Sequence, residues 1–563
     1  MLASPVVLQQ TRPQDEERTM IDHQRDMTPV VDLTRKKGTG AERTQRPIYV
    51  DLLPPCNNAC PAGENIQAWL ALAQAGRWKE AWEQLISDNP LPAVHGRVCY
   101  HPCETSCNRR ELDGAVSIHA VERFLGDLAL RNGWKVPVTA QPSGKRVLVV
   151  GAGPGGLSAA YHLKRLGHEV EIHDAGPLPG GMLHFGIPAY RLPRADLMAE
   201  IKTIEDFGVK IVLNSKVEDV LEAKAAGKFD AVFVAIGAHL AKHVDIPARD
   251  ATKVFDAVAL LRDVGTGGKP VLGRRVVIYG GGNTAMDAAR TAKRLGATET
   301  LIVYRRDREH MPAHQFEADE AMTEGVKIHW LRTIKEIDVA DLTVEVMEID
   351  DKGKARPTGK FETLQADAVV LALGQDSDSG FLHKIKEIEF GPDGTVIVAP
   401  NMMTGSPGIF AGGDLIPCER TVTVAVGGGK KAARYIDAWL RSTTYTPPPK
   451  HTIVTFGMLN LPIFSDVLVH MQRERLVEER TASFEEVVAG LDEPAAIGEA
   501  KRCFSCGNCF KCDNCLAACP EDAIIKLGTD KGYDVNFERC TGCGVCVAQC
   551  PCHAMEMIKE PVA

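Results

Sequence analysis

Short apolar runs that alternate with amphipathic helical segments fill the middle of this chain. The pattern begins at Lys145 and is typical of parallel α/β sheets. Two strand-like runs open in the same way, RVLVVGAGPGG from Arg146 and RVVIYGGGNTA from Arg275. Because the same strand–glycine–helix pattern occurs twice, the sequence predicts two nested Rossmann-like nucleotide-binding domains.

The flanking regions have other patterns. Residues 1–46 are polar without a sustained apolar period, which predicts a flexible tail or docking arm. A helical pattern follows, as in IQAWLALAQAGRWKEAWEQLI, and a proline-rich break, TYTPPPKHT, follows the second α/β segment. The predicted division is a tail (1–46), a helical iron–sulfur domain (47–140), an FAD-binding domain (141–268 and 366–445), an NADP(H)-binding domain (269–365), a linker region (446–500) and a ferredoxin-like domain (501–563).

Composition narrows the class of protein. Of 563 residues 44% are hydrophobic and 25% charged, as in ordinary globular proteins. The net charge of −9 gives no reason to expect a nucleic-acid partner. No apolar run approaches the roughly 20 residues that span a bilayer, and no signal peptide is recognisable, so the expected location is the cytoplasm.

Seventeen cysteines are the most unusual feature of the composition. Sixteen of them lie in two blocks, one near each end, and Cys418 is the outlier, expected to be a buried or idle thiol. A cytoplasmic location disfavours disulfides, so the clustering indicates metal binding.

The C-terminal block contains two ferredoxin-type repeats of the form C-x2-C-x2-C-x3-C-P. In such pairs the fourth cysteine of each repeat ligates the other cluster. One 4Fe–4S cluster is therefore predicted on Cys509, Cys512, Cys515 and Cys550, and another on Cys540, Cys543, Cys546 and Cys519. Zinc is the competing metal. Cys503 and Cys506 remain over, either as ligands of another metal or, as the favoured interpretation, as reduced thiols.

The first glycine turn fits the G-x-G-x-x-G fingerprint with Gly151, Gly153 and Gly156, and Gly155 lies inside it. Such glycines allow a tight turn, close approach of a pyrophosphate and close packing of helix on strand. Asp174 ends the next strand, where an acid can bind a ribose hydroxyl. The alternative is a purely structural turn, which would not explain why strand, glycines, helix and acid occur together.

The second turn repeats the arrangement with Gly280, Gly282 and Ala285, and Asn283 and Thr284 open its helix. Here the following strand ends in Arg305 and Arg306. Guanidinium groups at this position suit a 2′-phosphate, which favours NADP(H) over NAD(H). The alternative is a solvated arginine pair.

Two further segments carry a resemblance: GPLPGGMLHFGIPAYRLPR, and GIFAGGDLIPCERTVTVAVGGGKKAA near 408–433. They resemble the glutamate synthase small-subunit family, which is similar to dihydropyrimidine dehydrogenase and to the NADPH–ferredoxin transhydrogenase large subunit. With its C-terminal repeats the chain is also similar to the sulfite-reductase-associated flavoprotein and to the beta subunit of soluble NADPH-dependent ferric reductase. The resemblance implies FAD in the first fold, with contacts from Gly180, Gly181, Met182, Gly237, Gly413, Asp414 and Thr423.

The resemblance also bears on the N-terminal cysteines. The family's helical domain carries two clusters, one completed by a non-cysteine ligand, but this chain has RPIYVDLLPPC where the family has a C-x2-C pair. Five cysteines cannot fill two all-sulfur clusters, so one 4Fe–4S cluster is expected, on Cys60, Cys99, Cys103 and Cys107. Glu122 lies where the family offers a carboxamide or carboxylate; as a ligand it would displace Cys107 or Cys56. A surface glutamate, and loss of the metal altogether, are the alternatives.

These predictions combine into an NADPH-linked iron–sulfur flavoprotein, an electron-transfer subunit of a larger redox complex. Hydride would pass between NADP(H) and FAD, and single electrons between FAD and the clusters. No catalytic acid or base is assigned, and His310 and Glu317 stay without a role. The expected partner is another redox subunit or a ferredoxin-type carrier in a hetero-oligomer. The alternative is a partner-dependent relay or bifurcating subunit without its own NAD(P)H activity, and the direction of electron flow stays open.

Overall fold

A computed structural model describes residues 43–138, 140–242, 246–249, 253–338, 340–528 and 531–561. Most of the predicted tail, residues 1–42, lies outside the described residues.

The N-terminal part is a small helical domain entered through one strand. Its core packs Trp69, Leu70, Leu85, Val121 and Leu125, all of them buried. The elements are β1 (Gln45–Tyr49), α1 (Pro55–Ala59), α2 (Ile66–Gln74), α3 (Trp78–Ile86), α4 (Pro92–Val98), α5 (Pro102–Thr105) and α6 (Ile118–Asn132).

The first α/β segment then forms, where apolar strands alternate with helices that cover them. Its elements are β2 (Arg146–Val150), α7 (Pro154–Arg165), β3 (Glu169–His173), α8 (Met182–Phe185), α9 (Arg194–Asp206), β4 (Lys210–Val212), α10 (Val220–Ala226), β5 (Ala231–Val234) and β6 (Leu240–Ala241).

The second α/β segment is inserted after β6 and has its own core of small and branched residues beneath the sheet. Its elements are β7 (Ala248–Arg249), β8 (Lys253–Asp256), α11 (Ala257–Gly265), β9 (Arg275–Tyr279), α12 (Asn283–Arg294), β10 (Glu299–Tyr304), α13 (Gln315–Thr323), β11 (Lys327–Trp330), β12 (Arg332–Asp338), β13 (Asp341–Ile349), β14 (Ala355–Gln365), β15 (Ala368–Leu371) and β16 (Gln375–Asp376).

The chain then returns to the first domain and ends in the cysteine-rich module. The elements are β17 (Ile409–Ala411), α14 (Val422–Leu440), α15 (Val477–Ala482), α16 (Glu493–Lys501), α17 (Asn514–Ala518), β18 (Ile524–Lys526), β19 (Tyr533–Val535), α18 (Val545–Ala548) and β20 (Met555–Lys559).

Strand pairing defines the two nucleotide-binding domains. The first contains a parallel sheet in the order β17-β5-β2-β3-β4, and the second a parallel sheet in the order β11-β10-β9-β15-β8 beside an accessory sheet, β14-β13-β12-β7. The predicted boundaries at 268/269 and 365/366 differ from this arrangement. The predicted boundaries put strands β8 and β15 in the first domain. In the structure β15 pairs with β8 and β9, so both strands belong to the second domain. The boundary lies at the antiparallel pair β6–β16, where the chain passes from the first domain to the second and back.

The two ends of the described chain meet in one sheet. Strand β1 pairs antiparallel with β20, with Gln45 opposite Lys559 and Tyr49 opposite Met555. Arg43 extends this contact, because its guanidinium donates to the carbonyls of Phe537 at 2.6 Å and Cys540 at 2.8 Å. Residues 43–46 of the predicted tail therefore belong structurally to the ferredoxin-like module.

The predicted linker region is packed rather than free. Val454 N–H donates to the carbonyl of Leu53 at 3.1 Å, and α16 packs against α2 and α6 of the helical domain. Among the described residues none of the helices combines the length and the apolar character that crossing a membrane requires.

Candidate functional site: two nucleotide folds and the cysteine-lined cavities

A cavity of about 510 Å³ opens at the carboxyl edge of the first sheet. Its wall includes Gly151, Gly153 and Gly155 of the β2–α7 turn, together with residues at the ends of β3 and β5. This is the edge at which parallel α/β sheets bind ligands. The helix α7 begins here with Pro154, so its free N–H groups are placed to bind an anion in the cavity.

The glycines of this turn are required for different steric reasons. A Cβ on Gly156 would lie 1.9 Å from the carbonyl oxygen of Gly151, so this position holds helix against strand. A Cβ on Gly153 would meet nothing within 4 Å and would project into open space. The structure therefore offers a cradle without side chains, which fits the pyrophosphate of a dinucleotide.

Two of the three aspartates on the wall of the same cavity, Asp174 and Asp414, are those that the sequence singles out. The Asp174 carboxylate accepts hydrogen bonds from Ala152 N–H at 2.6 Å and Gly176 N–H at 2.7 Å, so it braces the glycine turn from the end of β3. Burial raises the pKa of Asp414 to about 6, against the opposing charge of Arg420. A buried carboxyl facing a cavity is suited to bind hydroxyl groups of a sugar or ribityl chain.

The other predicted flavin contacts lie in three places. Gly181, Met182, Gly237 and Gly413 lie on the cavity wall. Gly180 lies behind it, where its N–H donates to the carbonyl of Ala152 at 2.9 Å. Thr423 is placed differently: its hydroxyl donates to the sulfur of Cys99 at 3.1 Å, and Ala425 of the same helix faces the cavity.

Sequence reasoning missed part of this wall. Arg262 and Thr266, at the end of α11 in the second domain, line the flavin cavity. Their position depends on how the two domains are packed, and no local motif marks them.

The second glycine turn has the same construction. A Cβ on Gly280 would lie 2.2 Å from the carbonyl oxygen of Ala372, whereas one on Gly282 would meet nothing within 4 Å. Ala285 is fully buried in the first turns of α12, and Thr284 is half-buried beside it. Asn283 donates from Nδ2 to the hydroxyl of Tyr100 at 2.7 Å.

Arg305 and Arg306 follow β10 directly, at the edge where the second glycine turn lies. Arg305 is exposed and Arg306 is half-buried, with its Nε buried and without a hydrogen-bond partner among the described residues. His310 lies further along this loop and contacts Asp307 at 2.7 Å. Glu317, in α13, forms an ion pair with Arg191 at 2.5 Å. These contacts give His310 and Glu317 structural partners.

Tyr100 of the helical domain is a further residue that the sequence did not single out. Its ring stacks on His314 with centroids 3.6 Å apart, beside the second glycine turn. The helical domain thus contacts the second nucleotide fold as well as the first.

The ferredoxin-like module contains two cysteine-lined cavities. Cys509, Cys512, Cys515 and Cys550 line one of them, and Cys519, Cys540, Cys543 and Cys546 line the other. Each cavity thus draws its fourth cysteine from the other repeat, in the arrangement that the spacing predicts. Cys552, which the repeats do not include, lies on the wall of the first cavity.

The N-terminal cysteines are divided between two places. Burial raises the pKa of Cys103 far above its usual range, as do nearby charged groups that include Cys99 and Cys60. Burial, with the neighbouring Glu64 and Cys99, raises the pKa of the Glu122 carboxyl, as expected for an acid beside this group of thiols. Glu122 is buried rather than on the surface, and accepts from Asn89 Nδ2 at 2.8 Å. Cys107 instead lines a third cavity together with Cys56, Cys503 and Cys506.

Comparisons with known proteins agree with this division into parts. Residues 145–429 match the family described as pyridine nucleotide-disulphide oxidoreductase. Residues 28–134 match dihydropyrimidine dehydrogenase domain II, 4Fe-4S cluster, and residues 508–554 match the 4Fe-4S dicluster domain.

Similar proteins cover most of the chain. The NADP(+)-dependent formate dehydrogenase subunit beta of Moorella thermoacetica is 37% identical over 80% of this chain and 70% of its own length. The NADPH-Fe(3+) oxidoreductase subunit beta of Geobacter sulfurreducens is 33% identical over 80% of this chain and 75% of its own. The glutamate synthase (NADPH) small chain of Escherichia coli is 34% identical over 69% of this chain and 89% of its own.

Fold and cavities together define an iron–sulfur flavoprotein oxidoreductase that uses a pyridine nucleotide. The chain belongs to the pyridine nucleotide-disulphide oxidoreductase family, in a branch that carries 4Fe–4S domains at both ends. The resemblance to the glutamate synthase small-subunit family, the fold class and the cofactor types expected from the sequence are confirmed.

Proposed function

We propose that this chain transfers hydride between NADP(H) and FAD and passes single electrons between FAD and its 4Fe–4S clusters to a partner redox subunit. The observation that carries this proposal is the contact between Thr423 and Cys99 at 3.1 Å. Helix α14 presents Ala425 to the flavin cavity and Thr423 to a cysteine of the helical domain. A candidate cluster ligand therefore lies against the wall of the flavin cavity.

The roles of the nucleotide, the flavin and the clusters follow from the number of electrons that each transfers. A hydride carries two electrons, whereas a cluster exchanges one at a time, so a flavin between them converts one kind of transfer into the other. The chain's own residues bind and orient the cofactors. The glycine cradles hold the phosphates, and α14 holds the helical domain against the flavin cavity. The family match favours this function over a relay with an idle nucleotide site.

The proposed assembly is a hetero-oligomer with another redox subunit, in the cytoplasm. It is supported by the relatives, whose names describe a beta subunit or a small chain. A ferredoxin-type carrier is the alternative partner, and the exposed Cys509 and Cys543 lie where such a partner could approach the module.

The test is anaerobic mixing of the purified, iron-reconstituted protein with NADPH or NADH, followed by absorbance at flavin and cluster wavelengths. Rapid flavin bleaching with NADPH and subsequent cluster bleaching are expected. Bleaching of neither chromophore by either nucleotide would contradict the proposal, and flavin bleaching without cluster bleaching would contradict its second half.

Preference for NADPH is proposed to rest on Arg305 and Arg306. We expect the double substitution Arg305→Ala/Arg306→Ala to raise the KM for NADPH at least tenfold, about 1.4 kcal/mol, because two charge-assisted contacts to a 2′-phosphate are lost. The KM for NADH should change less than about twofold, since NADH lacks that phosphate.

The matched control is Arg308→Ala in the same loop, because Arg308 is exposed and pairs with Asp319 at 2.7 Å. It should leave both KM values unchanged. Equal losses for both nucleotides in the double variant would contradict phosphate recognition by this pair.

A further inference from the structure

Four cysteines from distant parts of the chain line one cavity between the helical domain and the start of the ferredoxin-like module. They are Cys56 on α1, Cys107 just after α5, and Cys503 and Cys506 on the segment that follows α16. Cys56 and Cys506 are buried, with exposed fractions of 8% and 9%, and Cys107 and Cys503 are half-buried.

Buried hydrogen bonds hold the 502–506 segment in this position. The Arg502 guanidinium, 1% exposed, donates to the carbonyl of Ala115 at 2.9 Å and contacts Asp113 at 3.0 Å. In return Arg109 donates to the carbonyl of Arg502 at 3.1 Å and lies over the ring of Phe504 at 4.8 Å. The position of Cys503 and Cys506 relative to Cys107 is therefore fixed by buried contacts on both sides.

The backbone of this C-x2-C pair matches that of the ferredoxin repeats. Ser505 adopts a left-handed conformation with φ 52°, as do Lys511 with φ 64° and Gly542 with φ 72° at the same position of the first C-x2-C pair in each repeat. Ser505 N–H donates to Cys503 Sγ at 3.4 Å, and Gly542 N–H donates to Cys540 Sγ at 3.4 Å. A left-handed conformation is uncommon outside glycine, so its occurrence at Ser505 and Lys511 indicates a shared constraint.

The interior of this cavity is as small as those of the two predicted cluster sites. It measures about 20 Å³, compared with about 10 Å³ for each of the two cysteine-lined cavities of the ferredoxin-like module. The similarity of size and of backbone favours the same kind of occupant in all three. Apolar side chains that include Leu70, Val116 and Ile118 complete the wall, as a buried electron carrier requires.

We propose that Cys56, Cys107, Cys503 and Cys506 bind an additional 4Fe–4S cluster, which is shared between the helical domain and the C-terminal segment. The pair 503–506 supplies the two thiolates that the RPIYVDLLPPC segment lacks. Cys60, Cys99 and Cys103, with the nearby Glu122, remain for a separate N-terminal cluster.

The proposed cluster lies between two other predicted cluster sites. Cys56 and Cys60 lie at the start and just beyond the end of the same short helix, α1, so the two N-terminal sites are neighbours. On the other side, Gly507 N–H donates to the carbonyl of Cys552 at 2.6 Å, and Cys552 lines the cavity of Cys509. The proposed cluster thus lies between the N-terminal site and the ferredoxin-like module.

The test is iron and acid-labile sulfide analysis of the full chain after anaerobic reconstitution. Four clusters correspond to about 16 irons per chain. The double variant Cys503→Ala/Cys506→Ala is expected to lose about four of them with unchanged FAD content, and to lose one integrated electron paramagnetic resonance signal after reduction. Cys418→Ala, outside both cysteine blocks, is the matched control and should lose none.

Zinc is measured in the same samples. Loss of one zinc ion without loss of iron, or no metal loss, would overturn the proposal. A second variant, Asn108→Asp, tests the proposal without removing a cysteine that folding could require. Asn108 donates from Nδ2 to Cys506 Sγ at 3.4 Å. Since hydrogen bonds to sulfur tune cluster potentials, Asn108→Asp should lower the potential of one signal and leave the iron content unchanged. Unchanged potentials for every signal would contradict the assignment.

Discussion

Replacing Gly156 with alanine is expected to destabilise the first nucleotide fold and to abolish its FAD binding. The added Cβ would lie 1.9 Å from the carbonyl oxygen of Gly151, and no flexible side chain is available to yield. Helix α7 and strand β2 would have to separate, at a cost of about 3 kcal/mol or more. The expected result is a chain without bound FAD whose thermal unfolding midpoint falls by several degrees, measured by flavin absorbance and calorimetry.

Gly153→Ala separates binding from folding at the same turn. Its Cβ would meet nothing within 4 Å and would project from the cradle into the cavity. We expect an apo-protein of unchanged unfolding midpoint whose affinity for FAD falls at least tenfold, because the methyl group occupies the path of the pyrophosphate. Normal FAD binding by Gly153→Ala would show that this cradle does not hold the pyrophosphate of FAD.

A triplet of glycines in α14 should show the second large effect. A Cβ on Gly427 would lie 2.0 Å from the carbonyl oxygen of Pro61, next to Cys60. Gly427→Ala must therefore push the helical domain away from α14, while the flavin cavity on the other flank keeps its wall. We expect FAD binding and flavin reduction by NADPH to persist, and electron transfer from flavin to the clusters to slow at least tenfold in stopped-flow absorbance.

The neighbouring glycines serve as controls. Gly429→Ala would place a Cβ 2.3 Å from the carbonyl oxygen of Gly155, so it should weaken FAD binding instead. Gly428→Ala would meet only Gly413 N, at 3.9 Å, and should stabilise the helix by up to about 1 kcal/mol. Equal transfer rates in Gly427→Ala and Gly428→Ala would show that the Pro61 contact does not position the helical domain.

Features encoded locally could be predicted from the sequence. The glycine turns at 151–156 and 280–285 carry their own strand, turn and helix, so pattern alone indicated two nucleotide folds. The ferredoxin repeats likewise carry the rule by which the fourth cysteine is exchanged, and the structure places Cys519 and Cys550 accordingly. In both cases the spacing of a few residues determines the geometry.

Features that depend on long-range pairing could not be predicted in this way. The apolar run of β8 fits either sheet, and only its pairing with β15 assigns it to the second domain. Cys503 and Cys506 have no partners in the local sequence pattern because their neighbours, Cys56 and Cys107, lie about 400 residues earlier. Thr423 was assigned to the flavin from resemblance, whereas the packing of α14 turns its hydroxyl to Cys99.

The pairing of β1 with β20 has a consequence for the order in which the protein is made. Strand β20 leaves the ribosome about 500 residues after β1, a delay of roughly half a minute to two minutes at ordinary rates of synthesis. The flavin domain has all its strands well before that time, whereas the ferredoxin-like module waits for its last strand. Iron–sulfur assembly in that module therefore comes later than the synthesis of every strand of the flavin domain.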